Sequence, residues 1–509
     1  MSPTFSVIIG VDCSTTGSKA VAFTPDGSAI AESRRGFSRS TPYPGWQEQH
    51  PDDWWHATTQ ALSELVTTLG EQGAEPVALG LTHQRETFVC LDEHDQPVRP
   101  AILWLDTRAR AQIDRLGSAE VHELSGKPPS TTPSLYKLAW VAEHEPEVID
   151  RTALVLDVHG YLVRRLTGAR ATSWACADPL SLLDMRTFSW SPRLLAMAGL
   201  AEEQLPVLTA PGTVIGRVSK DAAEATGLPT DLPVVAGAGD GQCAGLGAAV
   251  LDQHHAYLNL GTGLTLGTHA ADYVHSRAFR TLASPIAGAY TIEALLSSGV
   301  LSIAWVRDLL AASDGTPMPE DEFSALATSA APGADGLLYL PYLTSAESPH
   351  WDAAARGCFI GMTDSHSRAE ICRAVLEGLA YEERLTLELL EDATGQQVER
   401  LVVMGGASRS DALTQLLADV LERPIAISAE PETTALGAAM LAASAAGIDG
   451  VSDLTEIATR MSRVSAVREP DTAAHQRYRD TFAVYRDVYP ALKPVFPRLS
   501  ALRSRTTEE

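Results

Sequence analysis

Short apolar runs broken by turn-forming residues organise this chain. Val7, Ile8, Ile9 and Val11 make a run short enough for a buried strand, polar turn residues follow, and Ala20, Val21, Ala22 and Phe23 return as a second strand. The same pattern recurs in the second half, where Tyr257 to Leu260 lead through Gly261, Thr262 and Gly263 into Leu264 to Gly267. Between the two hairpins, strands at Val77 to Leu81 and Phe88 to Leu91 alternate with helical patterns around Trp54 to Leu69 and Ser134 to Glu145, which predicts α/β organisation. A further apolar strand from Leu232 to Ala238 reaches Gly239 and Asp240. The small apolar segment Gly241 to Val250 then reads as a helix. Helices are expected again at Gly299 to Leu310 and Ser367 to Leu390, and a strand at Leu401 to Met404 is followed by Gly405 and Gly406 opening another helix.

With 509 residues the chain exceeds what one core organises, so two lobes are expected, residues 1–250 and 251–498, with a frayed tail over 499–509. A formal charge of -25 argues against nucleic-acid binding through a broad basic surface. An acidic protein that binds an acidic nucleotide must then concentrate its cations locally. Cys13, Cys90, Cys176, Cys243, Cys358 and Cys372 show no metal-ligand spacing and read as reduced thiols, which with the lack of a signal-like start or a bilayer-spanning apolar run predicts a cytoplasmic protein without membrane partners.

The two hairpins carry the candidate chemistry. Asp12 ends the first strand where a carboxylate can hold a magnesium ion through water, Ser14, Thr15, Thr16 and Gly17 offer donors to phosphate oxygens, and Lys19 adds a cation. A second hydroxyl-bearing turn at Gly261 to Gly263 suits a clamp that grips a triphosphate from both sides. Gly405 and Gly406 let backbone approach a flat ligand such as adenine.

With these pieces placed, the chain resembles the FGGY family of carbohydrate kinases, and nearly its whole length takes part. The resemblance rests on GVDCSTTGSKA at Gly10, PGWQEQHPDDWW at Pro44, LTHQRETFVCLD at Leu81, ILWLDTRA at Ile102, AGAGDGQCAGLG at Ala236, LPYLTSAESPHWDAAARGCFIGM at Leu340, VVMGGASRSDALTQLLADVLERPI at Val402 and ETTALGAAMLAA at Glu432, in family order. It implies two ribonuclease-H-like lobes of the actin and hexokinase type, ATP with Mg2+ in the cleft, and phosphorylation of a sugar hydroxyl. It also implies that Asp240 is the catalytic carboxylate, that Asp12 is the metal-side acid, that Thr15, Thr16, Lys19, Gly261, Thr262 and Gly263 face phosphate, and that Gly405, Gly406, Ser410 and Gly299 face adenosine.

For the acceptor the motifs diverge. Gln84, Arg85 and Glu86 resemble the glycerol kinase pattern, in which the Arg and Glu read vicinal hydroxyls. Against glycerol, Gly241 stands where that branch has Gln and a polyol-contacting Tyr is replaced near Thr132. These losses of bulk suggest room for a longer substrate, and the segment Leu340 to Met362 looks like xylulokinase. Trp104 and Asp106 would wall and hydrogen-bond the sugar, with Gln242 beside them. The expectation is a kinase of a ketopentose or pentitol, xylulose leading, with glycerol or another short polyol second. An actin-like nucleotide switch is disfavoured because Arg85 and Glu86 would have no duty in it, and a sugar-sensing transcription factor because no basic helix-turn-helix extension precedes the first strand. A homodimer is a fair prior for such an enzyme.

Overall fold

The computed structural model describes residues 5–499 and residue 502. Two sheets of like topology follow one another in the sequence. The first is built from β1 (Phe5–Cys13), β2 (Gly17–Phe23), β3 (Ala29–Gly36), β4 (Ala74–His83), β5 (Val214–Arg217) and β6 (Pro233–Gly239), in the order β5-β6-β4-β1-β2-β3. β1 to β3 form an antiparallel meander, β4 and β6 add in parallel, and β5 closes the edge antiparallel. The second uses β7 (His255–Leu260), β8 (Leu264–Ala270), β9 (Arg280–Ala283), β10 (Tyr290–Leu296), β11 (Arg400–Met404), β12 (Ile425–Ser428) and β13 (Val464–Arg468), ordered β9-β10-β8-β7-β11-β12-β13. Its meander, two parallel additions and antiparallel edge repeat the first sheet, with one extra hairpin strand. This is the two-lobed ribonuclease-H-like arrangement that the resemblance implies.

Helices take their places for local reasons. In α1 (Pro51–Gln72), Pro51 sits at the first position, Asp52 and Asp53 lie in the first turn, and Gly73 ends the helix at φ 70. Trp54, Leu62, Leu65 and Leu69 bury its inner face. The helix is tied to the first turn through Gln49, whose Oε1 accepts from Trp54 Nε1 at 2.9 Å and whose Nε2 donates to Thr15 O at 2.7 Å. α2 (Asp240–Gly247) continues directly from β6, and α3 (Gly299–Leu309), α4 (Arg368–Thr394) and α5 (Asp411–Leu421) lie near their expected positions. One helix opens later than expected. After Gly405, residues Gly406–Arg409 make a single tight turn, and α5 starts behind Ser410, whose Oγ accepts from Leu413 N.

A further helix, α6 (Thr433–Ala446), crosses back onto the first sheet. Gly10 and Gly80 lie side by side in β1 and β4, and a Cβ at either would fall 2.0 Å from a carbonyl oxygen of α6, Ala435 O or Ala438 O. Side chains would push the helix off, so these glycines let backbone rest on backbone at the junction of the two lobes. Among the described residues no helix is long and apolar enough to cross a membrane. All six cysteines are free, and most of the expected frayed tail lies outside the described residues.

Candidate active site

The first turn places Asp12 near the end of β1. Its Oδ1 is buried with no hydrogen-bond partner, and burial, then Asp240 and Glu432, push its carboxyl up to about 7 against the pull of Lys19 and Arg34. Crowded carboxylates with an unsatisfied oxygen suit a divalent cation. Among the described residues no group of three or more His, Cys, Asp or Glu is placed to hold a metal ion. Beside Asp12, Ser14 closes the turn onto Gly17 O, Thr15 Oγ1 accepts from Trp104 Nε1 at 2.9 Å, and Thr16 is exposed. Lys19 is not a free cation: its Nζ lies 2.6 Å from Glu432 Oε1. Its cross-strand neighbour Arg34, which the sequence reading passed over, reaches Thr16.

β6 ends on Gly239, and Asp240 opens α2 with its carboxylate 42% exposed, the most open acid of the cluster around it. Arg85 Nε sits 2.7 Å from Asp240 Oδ1, which also accepts from Gly241 N. The same guanidinium donates from Nη1 to Glu293 Oε2 at 3.0 Å, and Tyr257 OH donates to that oxygen at 2.9 Å. Glu293 Oε1 in turn receives Arg280 Nε at 2.8 Å, and Arg280 Nη1 reaches Glu86 Oε1 at 2.9 Å, where Thr132 also donates. The result is an alternating row of charges, Asp240, Arg85, Glu293, Arg280 and Glu86. Burial alone would raise the Glu293 carboxyl, but Arg85 and Arg280 hold it down to about 2. Burial likewise works against the charge on Arg85, yet Glu293, Asp240 and Glu86 keep it well above the ordinary value. Glu86 adopts a left-handed φ of 60, and Lys137 Nζ donates to its carbonyl, burial having pushed that amine down to about 7. Such a backbone costs of order 1–3 kcal/mol and persists only where its surroundings demand it.

This row corrects the reading of Gly241 as spare room. A Cβ there would lie 2.4 Å from Glu293 Oε2 and 2.8 Å from Arg85 Nη2, so protein charge already fills the space. Gly239 gives way for the same arginine, whose Cγ and Cδ would be 2.5 Å from a Cβ. Asp106 is fully buried and spends both oxygens on Gln47 N and Arg108, so it braces the loop that carries Trp104. Gln242 is also buried, its amide donating to Ala175 O and Ala283 O, and it stitches the lobes behind Asp240.

On the second lobe, Gly261, Thr262 and Gly263 join β7 to β8, and the α3 amides of Val300 and Leu301 donate to Gly261 O and Thr262 O. Gly299 packs on Leu264, whose atoms a Cβ would meet at 2.6–2.7 Å. Gly405 has φ 87 and a Cβ site 2.5 Å from Asn259 Oδ1, whereas Gly406 faces open space. Sequence reasoning missed Glu293, Arg280, Glu432 and Arg34. A lone Glu inside the apolar strand YTIEALL was the available signal.

Comparison with known proteins closes the case for family. The model described as the FGGY family of carbohydrate kinases, N-terminal domain, matches residues 7–247, and its C-terminal counterpart matches residues 256–446. Xylulose kinase of Escherichia coli is 30% identical over 93% of this chain and 97% of that protein. Glycerol kinase of Alkalilimnicola ehrlichii is 31% identical over 89% of this chain and 92% of its own. A crystal structure of gluconate kinase from Lactobacillus acidophilus superposes with TM-score 0.91 at 26% identity, covering 97% of this chain and 99% of that one. The chain belongs to the FGGY family of carbohydrate kinases.

Proposed function

We propose that this kinase moves the γ-phosphoryl group of ATP to a hydroxyl of a neutral ketopentose or pentitol, with xylulose the leading acceptor. Enzymes of this family are phosphotransferases acting on alcohol groups with ATP as donor. The observation that carries the reading is the exposed Asp240 carboxylate held at 2.7 Å by Arg85 beside Glu86. In a loose phosphoryl-transfer transition state the acceptor proton leaves late, so Asp240 orients the hydroxyl and takes its proton as the new P–O bond forms. Arg85 aims that carboxylate, while Glu86 accepts from a neighbouring hydroxyl. Asp12 would hold Mg2+, which when bound neutralises charge on the phosphates. The turns around Thr15 and Thr16 and around Gly261, Thr262 and Gly263 embrace the phosphates, and Gly405, Gly406 and Ser410 border the adenosine.

Charge favours a neutral acceptor. Around the acceptor, three carboxylates, Asp240, Glu293 and Glu86, face two guanidiniums that are already paired, Arg85 and Arg280. An aldonate carboxylate would meet net negative charge, so gluconate is expected to be a poor acceptor. Glycerol or another short polyol is the second reading, favoured by the filled space at Gly241. ADP release measured with xylulose, ribulose, erythritol, glycerol, gluconate and pentitols tests both. If no acceptor raises turnover above the rate with water, the kinase reading fails.

A further inference from the structure

Arg280 and Glu293 sit directly opposite one another on the neighbouring strands β9 and β10 of the second sheet, yet their free ends leave that sheet and enter the acceptor loop of the first. We propose that they are positioning residues for the acceptor site: Glu293 sets Arg85 against Asp240, and Arg280 sets Glu86 against Thr132. The acceptor pocket is then complete only when both lobes contribute. This inference rests on the kinase reading above and goes beyond it by assigning acceptor recognition to strands of the nucleotide-side lobe.

Three features converge on it. The Glu293 carboxylate is held by Arg85 and Arg280 of this row and by Tyr257, and the residue is fully buried. Gly239 and Gly241 flank Asp240 with no side chain, which is what allows the Arg85–Glu293 pair to lie against that turn. Glu347, in the Leu340 to Met362 segment, comes close enough for both Arg280 and Glu86 to act on its carboxyl. A buried ion network stabilises a fold poorly compared with apolar packing, so stability alone does not explain a five-member row placed at the acceptor. Fixing two substrate-reading side chains does.

Glu293→Gln keeps shape and removes charge, and Arg280→Lys keeps charge and removes the fork that spans two carboxylates. Each is expected to raise the acceptor KM by about 10- to 100-fold, since small misplacements of positioned groups carry losses of that order, while the KM for ATP stays within about threefold. The lysine variant keeps the test alive if the glutamine variant does not fold. Acceptor and ATP KM values that move together, or an acceptor KM unchanged in both variants, overturn the proposal and leave a structural stitch. Wild-type protein that phosphorylates no acceptor overturns the kinase reading and this inference with it; an active wild type with unaltered variants overturns the inference alone.

Discussion

Gly241→Ala distinguishes a pocket with room from a pocket filled by protein. An alanine Cβ would lie 2.4 Å from Glu293 Oε2, and ordinary contact begins at 3.4 Å, so something must move by 3.4 − 2.4, or 1.0 Å. Glu293 is pinned by Arg85, Tyr257 and Arg280, which leaves Arg85 and the Asp240 turn as the parts that yield. Overpacking of this kind costs about 1–3 kcal/mol, against a gain of up to about 1 kcal/mol from replacing Gly by Ala in a helix. The net loss of stability is therefore small, and the protein should fold. A shift of about 1 Å in a group that orients the acceptor is worth roughly 10²-fold in rate, so kcat/KM should fall by about that factor for every acceptor, short or long. Coupled ADP release with glycerol, erythritol and xylulose, alongside a thermal melt, reads both quantities. A variant that loses activity only toward the longer acceptors, with the short ones within about threefold of wild type, would mean that the space is open to substrate and that the Glu293 argument is wrong.

Other perturbations test the rest of the site and the core behind it. Asp240→Asn should lower kcat by about 10² to 10⁴ with an unchanged melting temperature; turnover near wild type in the same assay removes Asp240 from the proton-accepting role. Gly405→Ala forces a side chain into φ 87 against Asn259 and should destabilise the fold by about 1–3 kcal/mol, whereas Gly406→Ala points into open space and should leave the melt unchanged while raising the KM for ATP; equal melts for the two would contradict the assigned geometry. Away from the site, burial and then Glu382 push the Glu383 carboxyl on α4 up to about 8, while burial pushes Glu382 up to about 7. The native state therefore binds more protons than the unfolded chain between the ordinary value of 4.5 and about 8, so stability should fall as pH rises through that window. Glu383→Gln should flatten the fall in melts taken from pH 5 to 9, and an unchanged slope counts against it.

What could be read from the sequence was local. The hairpin β1–β2, the helix α1 with its Pro51 start and Gly73 end, and the strand leading to Asp240 each announce themselves within a dozen residues, because apolar period and turn chemistry are short-range signals. Partners were not legible. Arg85 finds Glu293 at a separation of 208 residues and Lys19 finds Glu432 at 413, distances over which residue type says nothing about who meets whom. The error at Gly241 has the same origin. A missing side chain was read as empty volume, but volume at a lobe junction belongs to whichever lobe reaches it, and here a carboxylate from β10 does.

That pattern bears on how so acidic a chain admits a polyanionic nucleotide. The expectation was a local concentration of cations at the first turn, and the structure supplies Lys19 and Arg34 there, but it sets them among Asp12, Asp240 and Glu432. Lys19 is already committed to Glu432, so its charge is partly offset before any phosphate arrives. On the proposed reading, the backbone donors of the two turns and a divalent ion at the unsatisfied Asp12 oxygen would add to the attraction of these cations. On the acceptor side Arg85 and Arg280 are each paired with two carboxylates. On the proposed reading, attraction of the nucleotide would rest partly on the ion it brings with it, and an anionic sugar would meet guanidiniums already engaged by protein carboxylates.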